Sequence, residues 1–100
     1  MIGRTQKRFW KFFGTLPPQV QKLAREKYAL WKRDPYQPSL HFEERRNGIC
    51  VVRIGEHYRA LGLREDDTIA WFWIGTHEEY NRSSSRFGGV RRAGFLMETI

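Results

Sequence analysis

The apolar positions of this chain change period along its length, and the change divides it into a helical part and a sheet part. Between Lys7 and Phe13 the stretch "KRFWKFF" predicts a short helix, which "GTLPP" ends. Two prolines fit the first turn of a helix, where the backbone N–H has no intrahelical partner, so Pro17 and Pro18 start a second one. Along it Val20, Leu23, Ala24, Leu30 and Trp31 fall close to one face, with Tyr28 at its margin. Gln21, Lys22, Arg25, Glu26 and Lys32 face water on the other side. A residue before proline disfavours the α region, so this helix, spanning 17–33, stops at Asp34.

From Ser39 the period becomes two. "SLHFEER" alternates, with Leu40 and Phe42 on one side and His41 and Glu43 on the other, and predicts a first strand. Asn47-Gly48 is a strong hairpin signal. "ICVVRI" follows as a second strand, "GEH" turns the chain, "YRALGL" is a third and "REDD" a second turn. "TIAWFWIG" is the fourth strand. It is apolar on both faces, which places it centrally or covers it on both sides. Connections this short make an antiparallel meander. The expected fold is α+β: two N-terminal helices packed on a twisted antiparallel sheet of about four strands.

With 100 residues the chain makes one small domain whose core is thin, so its strongly apolar segments are mostly needed for folding. A net charge of +7 suits a polyanionic partner: nucleic acid, an anionic membrane or an acidic protein. Charge alone does not choose among them. No stretch has the apolar core of a secretory leader or the length of a membrane span, and no membrane partner is expected. The lone Cys50, inside "GICVVRI", reads as a buried structural thiol, and the absence of a disulfide framework fits a reducing, cytoplasmic setting. Three scattered histidines offer no metal-ligand spacing, so neither metal nor cofactor is expected. Residues 1–82 form the expected domain. The Ser/Gly/Arg-rich stretch 83–100 reads as a flexible basic tail in which "FLMETI" could dock or pair as a short strand.

Four polar side chains can converge on this frame. Arg53 is out of phase with the apolar residues of the second strand, and Arg59 with those of the third. His77 and Tyr80 lie just past the fourth. Two arginines, a histidine and a tyrosine with no carboxylate among them suit a phosphodiester: guanidinium forks bind phosphate oxygens, imidazole moves a proton near neutral pH, and a phenol donates a hydrogen bond or stacks on a base. Each has a bland alternative, a solvated sheet face for the arginines and a strand-end loop for His77 and Tyr80. His41 reads as an ordinary surface residue. His57, in the turn before Arg59, can reach a phosphate, and Arg82 adds to nucleic-acid binding. Trp71, Phe72 and Trp73 read as core rather than as a stacking platform.

"LPPQVQKLAREKYALWKRDPYQPSLHF", then "VVRIGEHYRALGL", then "WFWIGTHEEY" resembles the RelE/ParE superfamily of toxins from type II toxin–antitoxin pairs, in its RelE/HigB-like branch. The likeness runs from about Phe9 to Arg82. It implies a ribosome-dependent, metal-independent endoribonuclease that cuts mRNA by attack of a 2′-hydroxyl on the adjacent phosphate. Carried over residue by residue, it implies that Arg53, Arg59, His77 and Tyr80 are the catalytic set. Val51 departs from the basic pair some members carry in the second strand, and no carboxylate stands in for a general base. Two alternatives follow: a ParE-like inhibitor of DNA gyrase, and a degenerate, non-toxic nucleic-acid binder. The resemblance also implies a cognate antitoxin. Its expected seat is the long helix, with exposed Lys22, Arg25 and Lys32, together with the sheet edge.

Overall fold

A computed structural model of the protein describes residues 1–82. Helix α1, Lys7–Gly14, and helix α2, Pro18–Arg33, form where the periodicity places them. Pro18 occupies the first helical position, and α2 ends at Asp34, whose N–H donates to the Leu30 carbonyl at 2.8 Å. Phe9 and Phe13 of α1 and Ala24 and Trp31 of α2 are buried. Gln21 does not face water as expected. It is half-buried, and its Nε2 donates to the Phe13 carbonyl at 3.1 Å, tying α2 back to α1.

The sheet has five strands rather than about four. In chain order they are β1 Ile2–Thr5, β2 Glu43–Glu44, β3 Ile49–Ile54, β4 Tyr58–Glu65 and β5 Thr68–Thr76, arranged β1-β5-β4-β3-β2. Strands β2 to β5 are the expected antiparallel meander. Strand β1 joins them in parallel along β5, with Ile2 opposite Thr68 and Thr5 opposite Trp71. Backbone pairing holds it there, so "IGRT" needs no apolar run, and β5 becomes an interior strand covered on both sides. The Asn47-Gly48 turn takes left-handed backbone at both residues, φ 61° and 76°, as a two-residue hairpin turn requires.

The expected first strand is mostly not one. Pro38–Leu40 is a short 3-10 turn, and only Glu43–Glu44 pairs with β3. Pro38 presets a turn and has no N–H to give a ladder, and the Gln37 side chain captures the Ser39 N–H at 2.8 Å. The alternation still served burial: Leu40 is fully buried and Phe42 packs against the core.

Both helices lie on one face of the sheet, over Cys50, Val52, Ile54, Ala60, Ile69, Trp71 and Ile74. Trp31 is 1% exposed and meets Trp71 edge-on at 5.3 Å. Burial pushes the Cys50 thiol up to about 11, and the thiol is free and buried. The opposite face carries a second, smaller cluster of Ile49, Val51, Leu61, Phe72 and Tyr80. Tyr80 belongs to a helical segment, residues 77–82, which here is called α3. No helix among the described residues is long and apolar enough to cross a membrane. The expectations for 83–100 and for "FLMETI" lie outside the described residues.

Candidate active site

Strand register decides which side chains meet. Arg53 is the cross-strand partner of Arg59, and Arg59 is in turn the partner of Gly75. Such partners carry their Cβ atoms about 4.5–5.5 Å apart on one face. The neighbouring row on that face is Val51, Leu61 and Trp73. Both arginines therefore stand on the face away from α1 and α2, at one end of the smaller apolar cluster.

The β3–β4 turn holds this end together through its carbonyls. Arg53 Nε donates to Gly55 at 3.2 Å, and Arg59 donates from one terminal nitrogen to Tyr58 at 2.8 Å and Glu56 at 3.4 Å. The backbone N–H of His77 donates to the His57 carbonyl at 2.6 Å. One turn thus fixes three of the four predicted catalytic residues. His57 serves here through its backbone, while its imidazole is exposed. Burial, and after it the Arg53 charge, pulls the pKa of Arg59 below its ordinary value, with Tyr80 acting in the opposite sense.

His77 and Tyr80 are placed by a helix start. Thr76 ends β5 and caps α3: its Oγ1 accepts from the Glu79 N–H at 3.1 Å, and the Glu79 carboxylate accepts from the Thr76 N–H at 2.9 Å. This is a reciprocal capping box, spelled "THEE" in the sequence. It puts His77 and Tyr80 one turn apart on α3, rings 6.3 Å apart and inclined by 30°. His77 Nε2 lies 3.3 Å from the Asn81 amide, while its Nδ1 is buried without a partner. Tyr80 is only 7% exposed, and its buried hydroxyl has no partner among the described residues. Its ring is committed to the cluster and its hydroxyl is buried as well, so in this structure Tyr80 offers a substrate neither a stacking face nor a free donor, against the sequence expectation.

Gly75 makes the approach of these pieces possible. A Cβ at this position would stand 2.5 Å from the Trp73 ring and 2.7 Å from the Glu79 carboxylate. With hydrogen there instead, the Trp73 indole lies over Gly75, beside the capping box.

Two residues join the site that sequence reasoning left out. Arg45, just past β2, places its guanidinium 5.9 Å from the centre of the Tyr80 ring. His41, at a left-handed backbone position, brings Nε2 within 3.3 Å of Arg53. Neither has a sequence signal of its own, because the turn that aims them forms only in the fold. Arg82 is exposed at the end of α3. Of the carboxylates nearby, Glu43 pairs with Arg45 at 3.1 Å and Glu79 with the cap, while Glu56 and Glu78 are exposed. Among the described residues no three His, Cys, Asp or Glu side chains converge as a metal site. A groove of about 360 Å³ lies on the other face, between the helices and β1, and contains none of these residues. The site is thus a cationic patch with one imidazole nearby, groups whose chemistry suits a phosphate.

Residues 18–82 match the family model of the ParE-like toxin domain. No curated protein matches the sequence. Among solved structures, the RelBE2 toxin–antitoxin complex of Mycobacterium tuberculosis is similar at 18% identity and a TM-score of 0.61, covering 76% of this chain and 96% of its counterpart. A RelB–RelE antitoxin–toxin complex from Methanococcus jannaschii is similar at 14% identity and 0.65, over 80% of this chain and 96% of the other. The YoeB/ParE toxin of Agrobacterium tumefaciens gives 14% and 0.58, over 77% and 99%. At these identities the likeness is one of fold.

Proposed function

The chain belongs to the ParE-like toxin family, and from that premise we propose that it is the toxin of a type II toxin–antitoxin pair, acting as a ribosome-dependent endoribonuclease on mRNA. The observation that carries the reading is the pairing of Arg53 and Arg59 across β3 and β4, with His77 just past β5 bonded through its backbone to the turn that joins those strands. In this reading the two guanidiniums hold the phosphate and stabilise the charge that builds as its phosphorus becomes five-coordinate. The 2′-hydroxyl of the preceding nucleotide attacks, the bond to the 5′-oxygen breaks, and a 2′,3′-cyclic phosphate and a 5′-hydroxyl result. His77 moves the proton that this exchange requires. Tyr80, whose hydroxyl is buried, supports the His77 ring from the core side, and His57 and Arg82 add binding charge or polarity along the strand. The net charge of +7 draws the chain to ribosomal RNA. An antitoxin with an acidic arm silences it, and the pair works in the cytoplasm.

The test is to induce the chain in cells and map transcript 5′ ends. Codon-phased cuts that vanish in His77→Ala and Arg59→Ala are expected. Growth arrest with intact transcripts would exclude cleavage. That outcome would favour a second reading, inhibition of DNA gyrase, which the ParE-like character of the matching model keeps in play and which a supercoiling assay reads directly.

A further inference from the structure

Trp73 is the aromatic of "WFW" that does not enter the core. Trp71 and Phe72 are buried, whereas Trp73 remains half-exposed. Register puts it on the Arg53–Arg59 face, opposite Leu61 and one row from Arg59 and Gly75. The Gly75 contact shows where its ring goes: the space a side chain at 75 would fill is taken by the far edge of the indole. The ring therefore reaches from its own row over Gly75, the cross-strand partner of Arg59. On its other side stands half-exposed Phe12, its ring centre 6.3 Å away and tilted by 57°. Arg8, one turn earlier on α1, shares the side of that helix from which Phe12 projects.

We infer that Trp73, backed by Phe12, is a platform on which a base of single-stranded RNA stacks while the neighbouring phosphate sits on Arg53 and Arg59. This rests on the RNA-cleaving reading above and adds to it the feature that selects an unpaired strand. A base has two apolar faces and needs a flat, half-exposed aromatic beside a cationic groove. Tyr80 does not offer one, because its ring is buried. Trp10 is exposed, but it lies at the α1–β1 side, bonded to Thr5 and away from the arginines. The occupant is a nucleobase rather than an apolar peptide side chain because the row next to Trp73 carries two arginines, Arg53 and Arg59, paired across the strands.

The experiment uses the full chain carrying His77→Ala, so that RNA survives, with a short single-stranded RNA at low salt and anisotropy as the readout. Each nucleotide in turn is replaced by an abasic ribose. One abasic position is expected to weaken binding about tenfold, within the range measured for base–aromatic stacking. Trp73→Leu should weaken the intact RNA by a similar factor and lose the response to the abasic site, whereas Trp73→Tyr should keep it. A folded Trp73→Leu chain that binds as its parent does, or that still responds to the abasic site, overturns the platform. If Trp73→Leu does not fold, the abasic series on the parent and on Trp73→Tyr decides, and a flat series overturns it. Arg59→Ala separates the two readings. If it loses RNA binding while Trp73→Leu does not, only the platform falls. If the parent binds no RNA, the platform falls, while the ribosome-dependent reading stands or falls on its own transcript map.

Discussion

The cross-strand arginines make a prediction with a sign that stability measurements can read. Arg53 and Arg59 face each other across β3 and β4, and like charges directly opposite destabilise a sheet. Two unit charges about 7 Å apart repel by about 0.6 kcal/mol in bulk water and by about 2.4 kcal/mol at an effective dielectric of about 20. Both side chains are half-buried, so about 1 kcal/mol at low salt is the expected repulsion. Single substitutions do not isolate it, because each arginine also bonds to turn carbonyls. A double-mutant cycle with Arg53→Met, Arg59→Met and the double variant cancels those losses. Urea unfolding of the four chains should give a coupling of about 1 kcal/mol in the repulsive sense at low salt, falling by more than half by about 0.5 M NaCl, where the Debye length is about 4 Å.

A divalent anion should reverse the sign of the pair's contribution. If sulfate occupies the patch with a Kd of about 10 mM, then about 100 mM sulfate stabilises the parent by about 1.4 kcal/mol through mass action. The double variant should show only the general salting effect of sulfate. A coupling below about 0.3 kcal/mol at low salt, or one indifferent to salt, would refute the idea that the two guanidiniums share a patch. Equal sulfate stabilisation of parent and double variant would refute the phosphate-binding role, whatever the coupling.

Three further outcomes follow from single contacts. Gly75→Ala forces a methyl into the Trp73 ring and the Glu79 carboxylate; urea unfolding should show a loss of about 1–3 kcal/mol, typical of overpacking. Thr76→Val removes the capping hydroxyl at the start of α3 and should cost about 0.5–2 kcal/mol, read as faster hydrogen exchange over 77–82 before the sheet opens; unchanged exchange there would discount the cap. Cys50 is buried with its thiol pKa raised to about 11. A raised folded pKa stabilises below the unfolded value and loses that stability as pH climbs from about 9 to 11, so the parent should lose more stability over that window than Cys50→Ala, and a thiol reagent at pH 8 should label the folded chain only slowly.

What the sequence revealed and what it withheld divide along physical lines. The helices and the strands from Ile49 to Thr76 were legible because burial imposes a period, and a face that must be apolar writes itself into the residues. The same alternation exposed Arg53 and Arg59 as out-of-phase charges. Strand β1 was not legible, since an edge strand held by backbone bonds to β5 needs no apolar pattern. Segment 39–45 misled for the converse reason: Leu40 and Phe42 must be buried, yet a proline and the Gln37 side chain let a turn bury them instead of a strand. Capping chemistry was present but unread. "THEE" states the start of α3 in four letters, and reading it converts His77 and Tyr80 from strand-end residues into neighbours on one helical turn. That conversion matters for mechanism. A loop would leave His77 to find its geometry when substrate arrives, whereas a capped turn, bonded to the His57 carbonyl, fixes the backbone that carries the imidazole beforehand. Preorganisation of this kind lowers a barrier without any reorganisation at the moment of reaction. On the proposed mechanism Glu79 is therefore a positioning residue, and its place opposite the hydrogen of Gly75, the cross-strand partner of Arg59, joins the cap to the indole and the cationic row.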